Sequence, residues 1–241
     1  MVDDEKQLSV IIPSYNRFYS LLNTILSIQQ QTYKNIEIIV INDGSSQKEY
    51  HEYDWLSHGV IIIHLNINTK EKFKDACTTQ SCIGFVRNTG IHIAQGFYIA
   101  FCDDDDIWFP SKIDSQIQTM EKTNCKMSSS DGFIGSGEFD KDMTYLRYNA
   151  EYFYNTILDI HRRKGSLLME KGFPTIWSLE FLSTHNAIIT SSVVIEKSIL
   201  GLFRNVTDIA EDYDCWLRAL QKTHCAYLND VLFYYRTDDT S

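Results

Sequence analysis

The sequence predicts an α/β protein built on a single, mostly parallel central sheet flanked by helices. Two observations carry this. Apolar, β-branched runs alternate with helical patterns through the first half in the order β, α, β, β, α, β, which favours parallel strands whose carboxyl ends open to one face. The runs near residues 12, 41 and 102 then pass directly into polar turns, as strand ends that serve a ligand do in open α/β sheets.

Each element follows from its residues. Leu8 to Ile12 (LSVII), stopped by Pro13, reads as a buried first strand, followed by the turn Ser14-Tyr15-Asn16-Arg17. From Tyr19 to Gln30 the apolar residues at 21, 22, 25, 26 and 28 predict a helix packed on a sheet. Ile36 to Ile41 (IEIIVI) is the second strand, closed by the turn Asn42-Asp43-Gly44-Ser45-Ser46, and Gly59 to Leu65 the third. Residues 66–82 are polar and weakly patterned and read as a loop. Ile83 to Ala94 resumes a helix ended by Gly96, and Phe97 to Cys102 (FYIAFC) is a buried strand. Pro13, Asp43 and Asp103 are thereby expected to meet at one sheet edge.

The second half is less regular. A helix from Ser111 to Lys122 has Ser111 at its N-cap, and residues 128–140 suggest a loop or an interrupted strand. Tyr145 to Leu168 is expected to be helical, ending in the basic run His161-Arg162-Arg163-Lys164. That run reads as a solvated helix end suited to the macrodipole, with a phosphate or membrane contact as the alternative. Ala187 to Ile195 is read as a strand, Ala210 to Leu220 as a helix, and Tyr227 to Tyr235 as closing strands.

Composition limits the function classes. The 241 residues suit one domain spanning 1–241, with 44% apolar and 22% charged residues, an ordinary globular balance. A net charge of -10 opposes nucleic-acid binding, whose footprint is basic. No apolar run reaches the roughly 20 residues of a membrane span, and the first residues lack a signal-peptide pattern, so the expectation is cytoplasmic. Six cysteines, at 77, 82, 102, 125, 215 and 225, show no zinc spacing and read as reduced core thiols.

Four consecutive aspartates, Asp103 to Asp106, follow the FYIAFC strand. Asp favours helix N-caps, so a solvated acidic turn is one reading. Crowded carboxylates at a buried strand end repel one another, and a divalent cation with oxygen ligands relieves that repulsion, which is the other.

Four segments, LSVIIPSYNR, IEIIVINDGSS, GFVRNTGIHIAQGFYIAFCDDDDIWFPSKI and EDYDCWLRAL, stand in an order that resembles the family 2 glycosyltransferases of GT-A fold, over Leu8 to about Arg236. The resemblance implies a metal-dependent, inverting transferase moving a sugar from a nucleoside diphosphate sugar to a hydroxyl. UDP is the expected donor nucleotide, with GDP or dTDP as alternatives. The acceptor would be a glycan, a polysaccharide or a lipid-linked molecule, reached at the cytosolic face of a membrane by peripheral contact. Residues 8–110 would bind nucleotide-sugar and metal, and 111–241 would hold acceptor and base.

By the same resemblance Pro13, Tyr15, Asp43, Arg87, Asp103 and Asp104 bind the nucleotide, Tyr15 packing on the base and Asp43 meeting its edge. Asn88 joins Arg87 in shaping the diphosphate pocket. Asp105, with Asp103, holds Mn²⁺ or Mg²⁺, Asp106 caps the following helix, and Asp212 is the catalytic base. Glu211, Trp177 and His185 are placed at the acceptor. Where relatives carry a histidine after a Tyr-Arg pair, this chain offers only Asp238 or Asp239. A degenerate, non-catalytic binding module is the alternative, as is one catalytic domain of a larger glycan-building protein. A nucleotidyltransferase is more distant, because IIPSYNRFYS lacks a glycine-rich basic loop.

Overall fold

A computed structural model describes residues 6–74 and 79–237. In chain order the elements are β1 (Leu8–Ser14), α1 (Phe18–Gln29), β2 (Ile36–Asn42), α2 (Glu49–Glu52), β3 (Val60–His64), α3 (Thr69–Lys72), α4 (Thr79–Ile93), β4 (Tyr98–Phe101) and β5 (Ile107–Trp108). There follow α5 (Lys112–Thr123), β6 (Met127–Gly135), β7 (Leu146–Arg147), α6 (Tyr154–Arg163), β8 (Ile176–Trp177), α7 (Leu179–Leu182), β9 (Val194–Glu196), α8 (Glu211–Leu220) and β10 (Cys225–Arg236).

One sheet runs in the order β3-β2-β1-β4-β9-β6-β10-β5. Its long ladders, β1 with β2 and β4, β2 with β3, and β6 with β10, are parallel; the pairings of β5, β7, β8 and β9 are short and antiparallel. Side chains alternate across the strands. Ile11, Ile39, Ile41 and Phe101 pack in one buried cluster with Val86 and Trp216, while Val10, Ile12, Val40 and Ala100 pack in the other with Leu21 and Ile113. Helices thus cover both faces, which explains why β1 is buried over its whole length. At Gly90 of α4 an added Cβ would stand 2.4 Å from Ile11, so that close contact with β1 requires glycine.

Because β9 is antiparallel to both β4 and β6, it enters the sheet at the edge where β1, β2 and β4 end. Its entry turn, a 3-10 turn over Thr190–Ser192, therefore faces the aspartate run. Of the strand expected over 187–195 only Val194 and Ile195 are in a strand, the start of β9, since the hydroxyl-rich Thr-Ser-Ser interrupts it.

Other expectations are corrected. The loop expected at 66–82 contains α3, whose start Asn68 caps by accepting from Lys70 N at 2.9 Å. The helix expected over 145–168 divides into β7, a π-helical turn at Tyr148–Tyr152 and α6. Buried Asp131 on β6 imposes the division, its carboxylate accepting from Asn149 N at 2.8 Å and Ala150 N at 3.2 Å. Of residues 128–140, expected to be a loop or an interrupted strand, those up to Gly135 belong to β6, a strand deep in the sheet. Ser111 stands at the N-cap of α5 without a side-chain capping bond.

Candidate active site

The carboxyl edge of the sheet carries three clefts that share residues and so form one trough. The first is lined by Pro13, Tyr15, Asp43, Asn68, Thr69 and Val86, among others. The turns that build it are locked together: Asn16, with φ of 54°, accepts from Ser46 N at 2.8 Å across the β1 and β2 turns. Asn is one of the few non-glycine residues that tolerates this conformation. Tyr15 is 40% exposed and lines this cleft. Asp43 is buried, and it first builds the wall: Oδ1 accepts from Thr69 N at 2.9 Å, and Oδ2 from Thr69 Oγ1 at 2.9 Å and Asn68 Nδ2 at 3.0 Å. Burial raises its pKa and the Thr69 bonds restrain the rise. Since a carboxylate has about four acceptor positions, it retains room for one further donor. Gly44, at φ +74°, lets the 67–68 backbone close on this turn.

The second cleft holds the aspartates, with Pro13, Arg17, Tyr235 and Arg236. Asp104 is buried, its Oδ2 accepting from Ser14 Oγ at 2.6 Å, and burial pushes its pKa up to about 7. Asp105 is raised to about 6, first by burial and against the opposing pull of Arg17. Arg17 Nη1 lies 2.5 Å from Asp105 Oδ2 and 3.4 Å from Asp104 Oδ1. Asp106 does not cap α5. It is fully buried and accepts from Arg236 N at 3.0 Å, fastening the end of β10 beneath the run.

Among the described residues no group of three or more His, Cys, Asp and Glu is arranged to hold a metal by itself. The donor chemistry of Asp103 and Asp105 nevertheless fits a magnesium-like ion, which takes one or two carboxylates and completes its shell with water and substrate phosphates. Asp238 and Asp239 lie outside the described residues.

The third cleft is lined by Arg87, Asp103, Tyr148, Asn186, Thr190 and Asp212, among others. Arg87 on α4 is 4% exposed and bridges the two ends of the chemistry: Nη2 donates to Asp103 Oδ1 at 2.8 Å and Nη1 to Glu211 Oε1 at 3.0 Å. Glu211 lines this cleft beside Asp212, with its Oε1 held by Arg87. Asp212 accepts from Thr190 Oγ1 at 2.9 Å and from Tyr213 N at 2.6 Å. Burial raises its pKa against the stabilising field of Arg87, as suits a general base. Asp214, two residues on, is a structural group, paired with Arg204 and Arg218 and lowered by them.

Three further expectations fail. Asn88 turns from the trough and clamps Phe203, its Oδ1 accepting from Phe203 N and its Nδ2 donating to Phe203 O, each at 2.8 Å. Trp177 is fully buried, stacked on Tyr227 at 4.2 Å with Nε1 donating to Pro174 O. Trp177→Ala is accordingly expected to cost about 3–5 kcal/mol, lowering Tm by roughly 10 °C in a thermal melt without weakening nucleotide binding. His185 does not line the trough; its neighbour Asn186 does.

The sequence reading missed Arg17, Thr190, Ser191 and the Asn68-Thr69 pair. Arg17 was in view, in the turn after β1. Ser191 accepts from Asp103 N at 3.0 Å, and its signal was the polar triplet breaking the apolar run at 187–195. The five described cysteines are buried, consistent with core thiols; Cys77 lies outside the described residues.

The model of the family described as Glycosyl transferase family 2 matches residues 9–73 and 83–193. The chain is 30% identical over 232 residues to an uncharacterized glycosyltransferase of Rickettsia typhi, covering 96% of this chain and 64% of that relative. It covers 34% of a Rickettsia felis relative. It is also 26% identical to Escherichia coli WfgD, a UDP-Glc:alpha-D-GlcNAc-diphosphoundecaprenol beta-1,3-glucosyltransferase, over 94% of this chain and 74% of that one. Among solved structures, S. aureus TarS in complex with UDP-GlcNAc superposes with a TM-score of 0.67 at 14% identity, covering 98% of this chain and 60% of that one. The mannosyltransferase PcManGT from Pyrobaculum calidifontis, in complex with GDP-Man and Mn²⁺, does so at 0.64 and 13%, covering 99% and 59%. These two likenesses concern the fold.

Proposed function

This chain belongs to glycosyl transferase family 2 and has the GT-A fold, and on that premise we propose that it moves a sugar from a nucleoside diphosphate sugar to an acceptor hydroxyl with inversion. The observation that carries this reading is the Arg87 bridge, which ties Asp103 at the aspartate run to Glu211 beside Asp212. In the proposed reaction the acceptor oxygen bonds to the anomeric carbon as the bond to the departing phosphate oxygen breaks, and Asp212 takes the hydroxyl proton. Attack opposite the leaving group inverts that carbon. Pro13 and Tyr15 hold the base, Asp43 meets its edge, and Asp103 and Asp104 face the ribose and diphosphate. Asp105, with Asp103, would hold Mn²⁺ or Mg²⁺, which supplies charge stabilisation to the departing diphosphate.

UDP is the favoured donor nucleotide, supported by the UDP-glucose named for WfgD. That name also favours a lipid-linked acceptor over a free glycan, met at the cytosolic face of a membrane. No helix of the described residues is long and apolar enough to cross one. Arg162, Arg163 and Lys164 stay exposed at the end of α6 for peripheral contact, whereas His161 is buried against Ser166 and leaves that run. Calorimetric titration of UDP, GDP, dTDP and CDP, each with and without Mn²⁺, tests the reading. One nucleotide should bind and need the metal; no binding of any would leave a non-catalytic relative.

A further inference from the structure

The guanidinium of Arg17 stands where the aspartate run most needs positive charge. Its side chain is 25% exposed and lines both the first and the second cleft, at the junction between the base side and the aspartates. It uses Nη1 alone, on Asp105 and Asp104, while Nε and Nη2 make no hydrogen bond to the described residues. Arg87 contrasts with it: nearly buried, and spending a separate nitrogen on each of two carboxylates. Arg87 is held from both sides, whereas Arg17 is held from one and can swing.

We propose that Arg17 is an exchangeable counter-ion, which a divalent cation must displace from Asp105 and which the donor's diphosphate draws away. The inference rests on the metal reading of the aspartates given above. Its reason is electrostatic. A guanidinium at hydrogen-bond distance from Asp105 Oδ2 and a divalent ion on the same oxygen repel each other, so the first must leave for the second to bind. A planar donor fork pairs well with phosphate, so the nucleotide offers Arg17 the alternative partner that frees Asp105. Cation and nucleotide then bind interdependently, and by linkage each strengthens the other by the same factor.

The test is Mn²⁺ binding followed by electron paramagnetic resonance of the free ion, with and without UDP, in the wild type, Arg17→Gln and Arg17→Lys. In the wild type UDP should tighten Mn²⁺ binding by about tenfold. Without UDP, Arg17→Gln should bind Mn²⁺ roughly tenfold more tightly than the wild type, and the gain from UDP should shrink toward none. Arg17→Lys keeps the charge without the fork, so it should retain weak binding of Mn²⁺ alone and a reduced gain from UDP. Mn²⁺ affinity that is unchanged or weaker in Arg17→Gln with a native circular dichroism spectrum would make Arg17 a permanent structural partner and overturn the proposal. Equal Mn²⁺ affinity of the wild type with and without UDP would overturn it even if that variant does not fold. If no form binds Mn²⁺ under either condition, the metal reading itself falls and the proposal with it.

Discussion

Asp212→Asn is expected to cut kcat by about 10²–10⁴-fold while leaving UDP affinity within about twofold of the wild type. The asymmetry follows from position. Asp212 lines the third cleft with Thr190 and Tyr148, whereas the nucleotide is expected in the first, beside Tyr15 and Asp43. Asparagine has the shape of aspartate and can still accept from Thr190, but it cannot take the hydroxyl proton. The wild type should also show a rising acid limb in kcat/KM, because Asp212 must be ionised and burial holds its pKa above the ordinary carboxylate value. That limb should vanish from whatever activity the variant keeps. Steady-state kinetics across pH, paired with calorimetry of UDP on the same preparation, separates the outcomes. Near-wild-type kcat would remove Asp212 from the role of base, and lost UDP binding would mean that the substitution disturbs Arg87 and the aspartates through Glu211.

How far the sequence could be read depended on the length scale of the signal. β1, β2 and β4 were legible because continuous apolar runs in a strand buried on both faces leave no competing pattern. Their carboxyl ends placed Pro13, Asp43 and Asp103 on one edge, as found. β9 was misread because only three of its residues pair, and their direction is set by β4 and β6 rather than by their own residues. That direction brings Thr190 and Ser191 to the site. Trp177 shows a second limit. Residue type alone does not say whether an indole faces a ligand or packs on Tyr227. Asp106 shows a third: four equal residues in a row turn into three directions, and only the partners at Arg87, Arg17 and Arg236 distinguish them.

Those directions make Asp105 the most informative of the four. Asp105→Ala is expected to weaken UDP binding in the presence of Mn²⁺ by about tenfold or more, with little change in the weak binding measured without metal. A misfolded variant would also lose binding, so stability must be measured alongside, and here the two explanations predict opposite signs. Burial and Asp103 raise the Asp105 pKa to about 6 in the folded, metal-free protein, above the unfolded carboxylate value of about 4. Between those values the folded state holds the extra proton, so stability falls as pH rises through the window, and above it the ionised group opposes folding. At pH 8 the alanine variant is therefore expected to melt at the same temperature as the metal-free wild type or higher, with any advantage shrinking as the pH drops toward 4. Arg17 keeps Asp104 as a partner at 3.4 Å, so the substitution does not strand its charge. Lost metal-linked binding in a variant that melts no lower assigns the loss to a missing cation ligand. A lower Tm together with lost binding would instead make the Arg17–Asp105 contact a structural strut and take Asp105 out of the cation site.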